Sequence, residues 1–280
     1  MELNAVKIVA DSSADLIEIS GFPFEVASLR IATSEKEYVD DASLDVGGMV
    51  EDLARYKGKS STSCPNVNDW LAAFGEAQFI FCVTITGTLS GSFGAARVAA
   101  RTYEEKHPDR RVFVLNSLST GPECALFVDK IKELVLAGKD FDEVCDTVNA
   151  YTQKTGLIFM LESMQNLANN GRVSPLVAKM AGFLGIRVVG KASDKGDLEP
   201  LHKCRGEHRA LETILAHMKG EGLANGRVRI GHCQNLAAAE KLAAMLKAEL
   251  PQVKVEIGAC RGLCSFYAER GGLLVGFEKM

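Results

Sequence analysis

No apolar run approaches the roughly 18 residues that a membrane-spanning helix needs, so no span is expected. The amino end lacks a charged n-region, an apolar h-region and a cleavage site. Aromatic side chains are few, with 1 Trp and 5 Tyr, which argues against a base-stacking or sugar-stacking platform. A basic excess is also missing: 32 Lys and Arg against 36 Asp and Glu leave a net charge of −4. That balance gives no support to a nucleic-acid surface. Collagen-like, low-complexity and wholly disordered chains are excluded by composition. The 8 cysteines are scattered and form no disulfide scaffold. Cys82, in the run Phe79–Val83, and Cys124, on a helix face, read as small buried hydrophobes. A reducing, cytoplasmic setting follows as the expectation.

What is present is enough apolar residue, 47% of 280, to build a sizeable core. The length suits about two domains. Strand patterns at 6–10, 79–83, 111–115 and 156–160 alternate with helical ones at 44–55, 92–106 and 142–151. An extended piece covers 24–32, a polar loop 57–63, and Pro65 stands where it would open a helix carrying Trp70, Leu71 and Phe74. Cys124, Phe127, Val128, Ile131, Leu134 and Val135 fall on one 3.6-residue stripe. Such alternation predicts a parallel sheet covered on both faces. Beyond about 160 the pattern changes. A helix at 161–168 ends at Asn169-Asn170-Gly171, and Ser174-Pro175 restarts one through Met180 and Ala181. Strands at 186–189, 227–232, 253–259 and 272–278 enclose helices at 205–219 and 236–250, with a hairpin around 191–199. The fold class is therefore α/β, with one domain over 1–160 and a second over 161–280. No internal repeat is found.

The strongest local chemical signal is the loop Thr86-Gly87-Thr88-Leu89-Ser90-Gly91-Ser92 between a strand and a helix. Hydroxyl donors, free backbone N–H groups and the helix dipole make that a natural pocket for a carboxylate or phosphate. The same residues also serve as ordinary helix caps. The glycine spacing is not that of a P-loop, and no lysine follows. Ser61-Thr62-Ser63-Cys64-Pro65 is a second hydroxyl-rich loop, and Asp11-Ser12-Ser13 lies at the end of the first strand, on the same edge. Arg172, after Asn170-Gly171, suits a carboxylate partner or a structural tie to loop carbonyls. Cys260 and Cys264 are too isolated from other ligands for a zinc site, and none of the five histidines is marked as a base for a serine nucleophile. Neither a cofactor nor a resident metal is expected.

These loops carry a resemblance to the DegV family of bacterial fatty-acid-binding proteins over nearly the whole chain. Ile8 to Leu16 resembles its amino-terminal "IVTDSTADL", Thr62 to Pro65 its "TSxP", and Thr86 to Phe93 its "SSxLSGTY". Asn170 to Ser174 resembles "GGRIS", and Lys203-Cys204-Arg205 falls at a Lys-x-Arg. The resemblance implies a DegV-like pair of domains: a three-layer α/β/α unit with a parallel sheet, and an α/β unit with a mixed sheet. It implies one long-chain fatty acid in an apolar tunnel, its carboxylate held between the domains by Thr62 and Ser90, with Arg172 nearby. Some family members present that carboxylate to a separate ATP-dependent acyl kinase for phospholipid synthesis, as non-catalytic subunits.

The expected ligand contacts are thus Thr62, Ser63, Ser90, Gly91, Ser92, Arg172, Cys260 and Arg261, with Asp11, Ser12, Ser13 and Thr88 behind them. Cys260 stands where many members have a histidine in an "HxGPG" loop, and Phe93 replaces a tyrosine. A thiol is a weak donor beside an anion. If residue 260 lies at the head group, slow partner-dependent turnover with intact lipid binding is expected. Beside the carrier, two further readings remain open here. One is a phosphotransferase or acyl-processing enzyme using Ser90 or Thr62. The other is a regulatory interaction protein with a vestigial pocket. The expected partners are a fatty acid, an acyl kinase subunit and, transiently, a membrane surface, but no nucleic acid.

Overall fold

The computed structural model describes residues 1–179, 181 and 185–279. The amino-terminal part runs β1 (Val6–Asp11), β2 (Phe24–Ala27), β3 (Arg30–Ala32), β4 (Glu37–Val39), α1 (Val46–Arg55), β5 (Ser61–Ser63) and α2 (Val67–Phe74). It continues through β6 (Phe79–Thr84), α3 (Ser92–Lys106), β7 (Arg111–Asn116), α4 (Pro122–Leu136) and α5 (Phe141–Tyr151). Strands β2-β1-β6-β7 form a parallel sheet in that order. Its central strands are apolar on both faces because both faces are covered. Trp70, Phe74, Ala96 and Ala99 of α2 and α3 pack on one side, and Phe127, Ile131 and Val144 of α4 and α5 on the other.

The remainder comprises β8 (Thr155–Leu161), α6 (Gln165–Asn169), α7 (Pro175–Ala178), β9 (Ile186–Ala192), β10 (Leu198–Arg205) and α8 (Glu207–Gly220). After these come β11 (Gly226–His232), α9 (Leu236–Glu249), β12 (Val253–Ala259), α10 (Gly262–Ala268) and β13 (Leu273–Glu278). Six strands form a mixed sheet in the order β10-β9-β8-β13-β11-β12, parallel only between β11 and β12. Ile158, Met160, Val189 and Val275 face α8 and α9. Leu157, Phe159, Leu161 and Leu274 point the other way, toward the rest of the molecule. Helix α4 lies between the two sheets, and its start comes so close to β13 that a Cβ on Gly276 would lie 2.5 Å from Glu123 N.

Several expectations are corrected. The piece at 24–32 is two strands in different sheets, because the chain turns at Ser28 and Leu29, whose N–H donates to Ser12 Oγ at 3.0 Å. The supposed loop at 57–63 ends in β5, which pairs with β3 in a small antiparallel sheet, β4-β3-β5. Pro65 does not open the next helix. Asn66 caps it instead, in a capping box with Asp69, because a side-chain acceptor satisfies free N–H groups that proline cannot. The strand at 156–160 belongs to the mixed sheet, antiparallel to both neighbours, and not to the parallel one. Leu161 ends that strand, so the helix expected from 161 begins only at Gln165. Ser174 caps α7, but the helix ends at Ala178, so Ala181 lies beyond it, and Met180 lies outside the described residues.

Candidate functional site

The hydroxyl-rich segments converge at the carboxyl ends of β1 and β6, where open α/β sheets build their sites. Asp11, fully buried at the end of β1, organises the edge. Its Oδ1 accepts from Ser13 Oγ at 2.5 Å, and its Oδ2 accepts from Ile85 N at 3.0 Å and Ser92 Oγ at 2.6 Å. Burial pushes its carboxyl above the ordinary value, and these donors offset only part of that rise. Asp11, Ser12, Ser13 and Ser92 therefore hold the loop from behind. Thr88 Oγ1, on the exposed rim, donates to Gly196 O at 2.8 Å and ties the β9–β10 hairpin to that loop.

Beside this edge lies a cavity of about 290 Å³. Thr62, Ser63, Ser90, Gly91, Arg172 and Tyr267 bring polar groups to it. Leu157, Phe159, Leu161, Leu167, Leu198 and Leu274 supply an apolar wall. Thr62 Oγ1 and Tyr267 Oη share a hydrogen bond of 2.7 Å. Burial pushes the Tyr267 hydroxyl up, so it stays protonated and able to donate. Ser90 Oγ accepts from Ser92 N at 3.3 Å, and its own O–H has no acceptor among the described residues. Arg172 Nε donates to Leu89 O at 3.1 Å and Nη1 to Asn170 O at 2.5 Å, and its guanidinium stands 5.9 Å from the Tyr267 ring centre. Of the two roles left open for Arg172, these bonds are the structural one, although the side chain also reaches the cavity.

Ser92, Cys260 and Arg261, expected as ligand contacts, do not line the cavity. Ser92 is fully buried against Asp11. Cys260 is buried at the end of β12, where desolvation and nearby Asp15 push its thiol far up. Arg261 N donates to Asp15 Oδ1 at 2.8 Å, and its guanidinium donates to the Asp41 carbonyl. Asp40, in turn, accepts from Gly262 N and Leu263 N at the start of α10. Arg261 is thereby drawn to an acidic cluster of Asp15, Asp40 and Asp41 at the start of that helix. The sequence reading missed Tyr267, Thr120 and Cys264, which do line the cavity. A lone tyrosine in Phe266-Tyr267-Ala268 is the available signal, but α10 is seven residues long and its N-cap residue makes no side-chain cap that would mark it in the sequence. Among the described residues no group of three or more His, Cys, Asp or Glu is arranged to hold a metal. No helix there is long and apolar enough to cross a membrane.

The family model described as the uncharacterised-protein DegV family matches residues 5–279. The chain belongs to the DegV family. A DegV domain-containing protein of Streptococcus pneumoniae R6 is 41% identical over 276 residues, covering 97% of this chain and 98% of its own. Two solved DegV-like structures superpose closely. A DegV family protein from Eubacterium eligens loaded with heptadecanoic acid matches with TM-score 0.97 at 41% identity, covering 99% of this chain and 100% of its own. The Streptococcus pneumoniae fatty acid kinase (Fak) B3 protein loaded with linoleic acid matches with TM-score 0.97 at 40% identity and the same coverage.

Proposed function

We propose that this DegV-family protein binds one long-chain fatty acid without covalent attachment and presents its carboxylate to a separate acyl kinase. The observation that carries the reading is the cavity of about 290 Å³, leucine-walled on one side and bounded by Thr62, Tyr267 and Ser90 on the other. An apolar pocket with a few convergent donors suits a long tail with one charged end. In the proposed pose the carboxylate takes the Ser90 O–H, the hydroxyl pair of Thr62 and Tyr267, and first-turn N–H groups of α3, beside Ser63 and Gly91. Relatives of about 40% identity are loaded with heptadecanoic and linoleic acid, and one is named for a fatty acid kinase.

In this reading the protein is a carrier and not the catalyst. Phosphoryl transfer calls for ATP, metal ions and basic clamps, which the partner brings. Cys260 lies off the cavity wall, so its exchange for the family's histidine does not weaken the head-group site, and Tyr267 supplies a donor from α10 instead. The division into two domains belongs to the same proposal, with the join ahead of Thr155 instead of at 160, because β8 hydrogen-bonds into the mixed sheet. A cytoplasmic location is also part of it, supported by eight free thiols. Calorimetric titration with fatty acids and the matching fatty alcohols tests the reading. Tight binding of the acids and weaker binding of the alcohols is expected, and equal affinity for both would remove the carboxylate site.

A further inference from the structure

The apolar half of the cavity stands on neighbouring strands of the mixed sheet. One row across that sheet pairs Gly190 of β9 with Phe159 of β8, and Phe159 with Leu274 of β13. Directly paired residues project to the same face. Phe159 and Leu274 both line the cavity, as do Leu157 and Leu161 two positions either side of Phe159 on its strand. Phe159 is thus the central and bulkiest side chain of the cavity floor. Gly190 contributes nothing to the row, and the space it leaves is filled. A Cβ built there would lie 2.4 Å from Phe159 Cζ and 2.7 Å from Phe159 Cε2. Packed carbons keep about 3.5–4.0 Å apart. The phenyl ring therefore leans across the sheet from β8 and lies over the glycine on β9, rather than standing up into the cavity. A glycine inside a strand marks such a close approach.

We propose that Phe159, laid over Gly190, sets the length and shape of the acyl chain that the cavity accepts. The inference rests on the fatty-acid reading and names the specificity determinant of that site. Protein interiors pack with little spare volume, so a tail carbon is accommodated or refused according to where the floor lies. The two residues then act in opposite directions. A smaller side chain at 159 lowers the floor and admits longer or kinked tails. A methyl group at 190 lifts the ring into the cavity and shortens the best tail.

The test is a ladder of saturated acids from ten to twenty carbons, plus one cis-monounsaturated acid, titrated into delipidated full-length protein. It is run on the unmodified chain, Phe159→Leu, Phe159→Ala and Gly190→Ala, with circular dichroism and melting curves alongside. Gly190 sits beside the bulge between Pro200 and His202, and its added methyl would also press on Glu199 O. If Gly190→Ala melts early, the two changes at 159 decide the matter alone. In Phe159→Ala the tightest ligand should become longer, with roughly fourfold gained for each methylene newly accommodated. Phe159→Leu should move the same way by less, and folded Gly190→Ala the opposite way. An unchanged length optimum in folded Phe159→Ala and Phe159→Leu overturns the assignment while leaving fatty-acid binding intact. An unmodified protein that binds no acid of the ladder overturns the fatty-acid reading itself, and this inference with it.

Discussion

Ser90 accepts one N–H from the helix it precedes and keeps its own proton to give away. Thr62 and Tyr267 share a hydrogen bond that leaves one of the two protons free. Hydrogen bonds to a charged group contribute about 1.5–3 kcal/mol. Ser90→Ala and Tyr267→Phe should each weaken fatty-acid binding by roughly 10- to 100-fold and fatty-alcohol binding by less. Isothermal titration of both ligand classes checks this, and an unchanged acid affinity in Ser90→Ala would reduce the loop to a helix cap. Asp15 makes a different prediction. Burial first, then the charge of Asp40, pushes its carboxyl up to about 7, against the pull of the Arg261 N–H. Between the ordinary value of 3.8 and about 7, the folded chain holds a proton that the unfolded chain releases. Stability therefore falls as pH rises through that window. Asp15→Asn should flatten the fall in urea midpoint between pH 5 and pH 7.5. Part of it should remain, because burial raises Asp11, Asp40 and Glu123 in the same sense. An undiminished fall would mean that Asp15 stays ionised throughout.

Among the elements, the β9–β10 hairpin closes over the loop that ends at Ser90. Its tip residue Gly196 has φ of +85°, and a Cβ there would meet Thr86 Oγ1 at 2.1 Å. Gly196→Ala should lift the tip, break the Thr88 bond and speed fatty-acid release in a stopped-flow exchange assay; an unaltered release rate would show that the hairpin is only a rim. That hairpin is legible in the sequence around 191–199, whereas the shortest elements are not. The stripe from Cys124 to Val135 and the run Phe79–Val83 declare themselves, because a long period or a continuous apolar run reports burial directly. β5 does not, since Ser61-Thr62-Ser63 is polar and is a strand only because Ile31 and its neighbours pair with it. α10 is short and starts on a glycine, capped by Asp40 from more than 200 positions away. Tyr267 is hidden with it, and motif position puts Cys260 and Arg261 at the ligand although neither lines the cavity. Thr62, Ser63, Ser90 and Gly91 were legible as candidates because hydroxyls and small residues before a helix leave donors unspent. That they share one cavity depends on the strand order β2-β1-β6-β7 and on β8 joining the other sheet, which local pattern cannot reveal.

At the scale of the whole molecule, two sheets share α4 and leave an apolar cavity beside the hydroxyl edge. A fatty acid bound there is sequestered along its tail, and affinity should rise by about 0.8 kcal/mol for each buried methylene until the cavity is full. Flat affinity from eight to sixteen carbons would contradict a tail-filled cavity. The isolated chain should consume no ATP, and acyl phosphate should form only when an acyl kinase is added. ATP consumption by the chain alone would refute the carrier role. The most direct measurement is mass spectrometry of what leaves the purified protein on denaturation, quantified against protein. The account predicts close to one equivalent of linear fatty acid of roughly 14 to 18 carbons, released as free acid with the chain at its unmodified mass. Protein that carries no fatty acid, and takes none up when the acids are supplied, would contradict it.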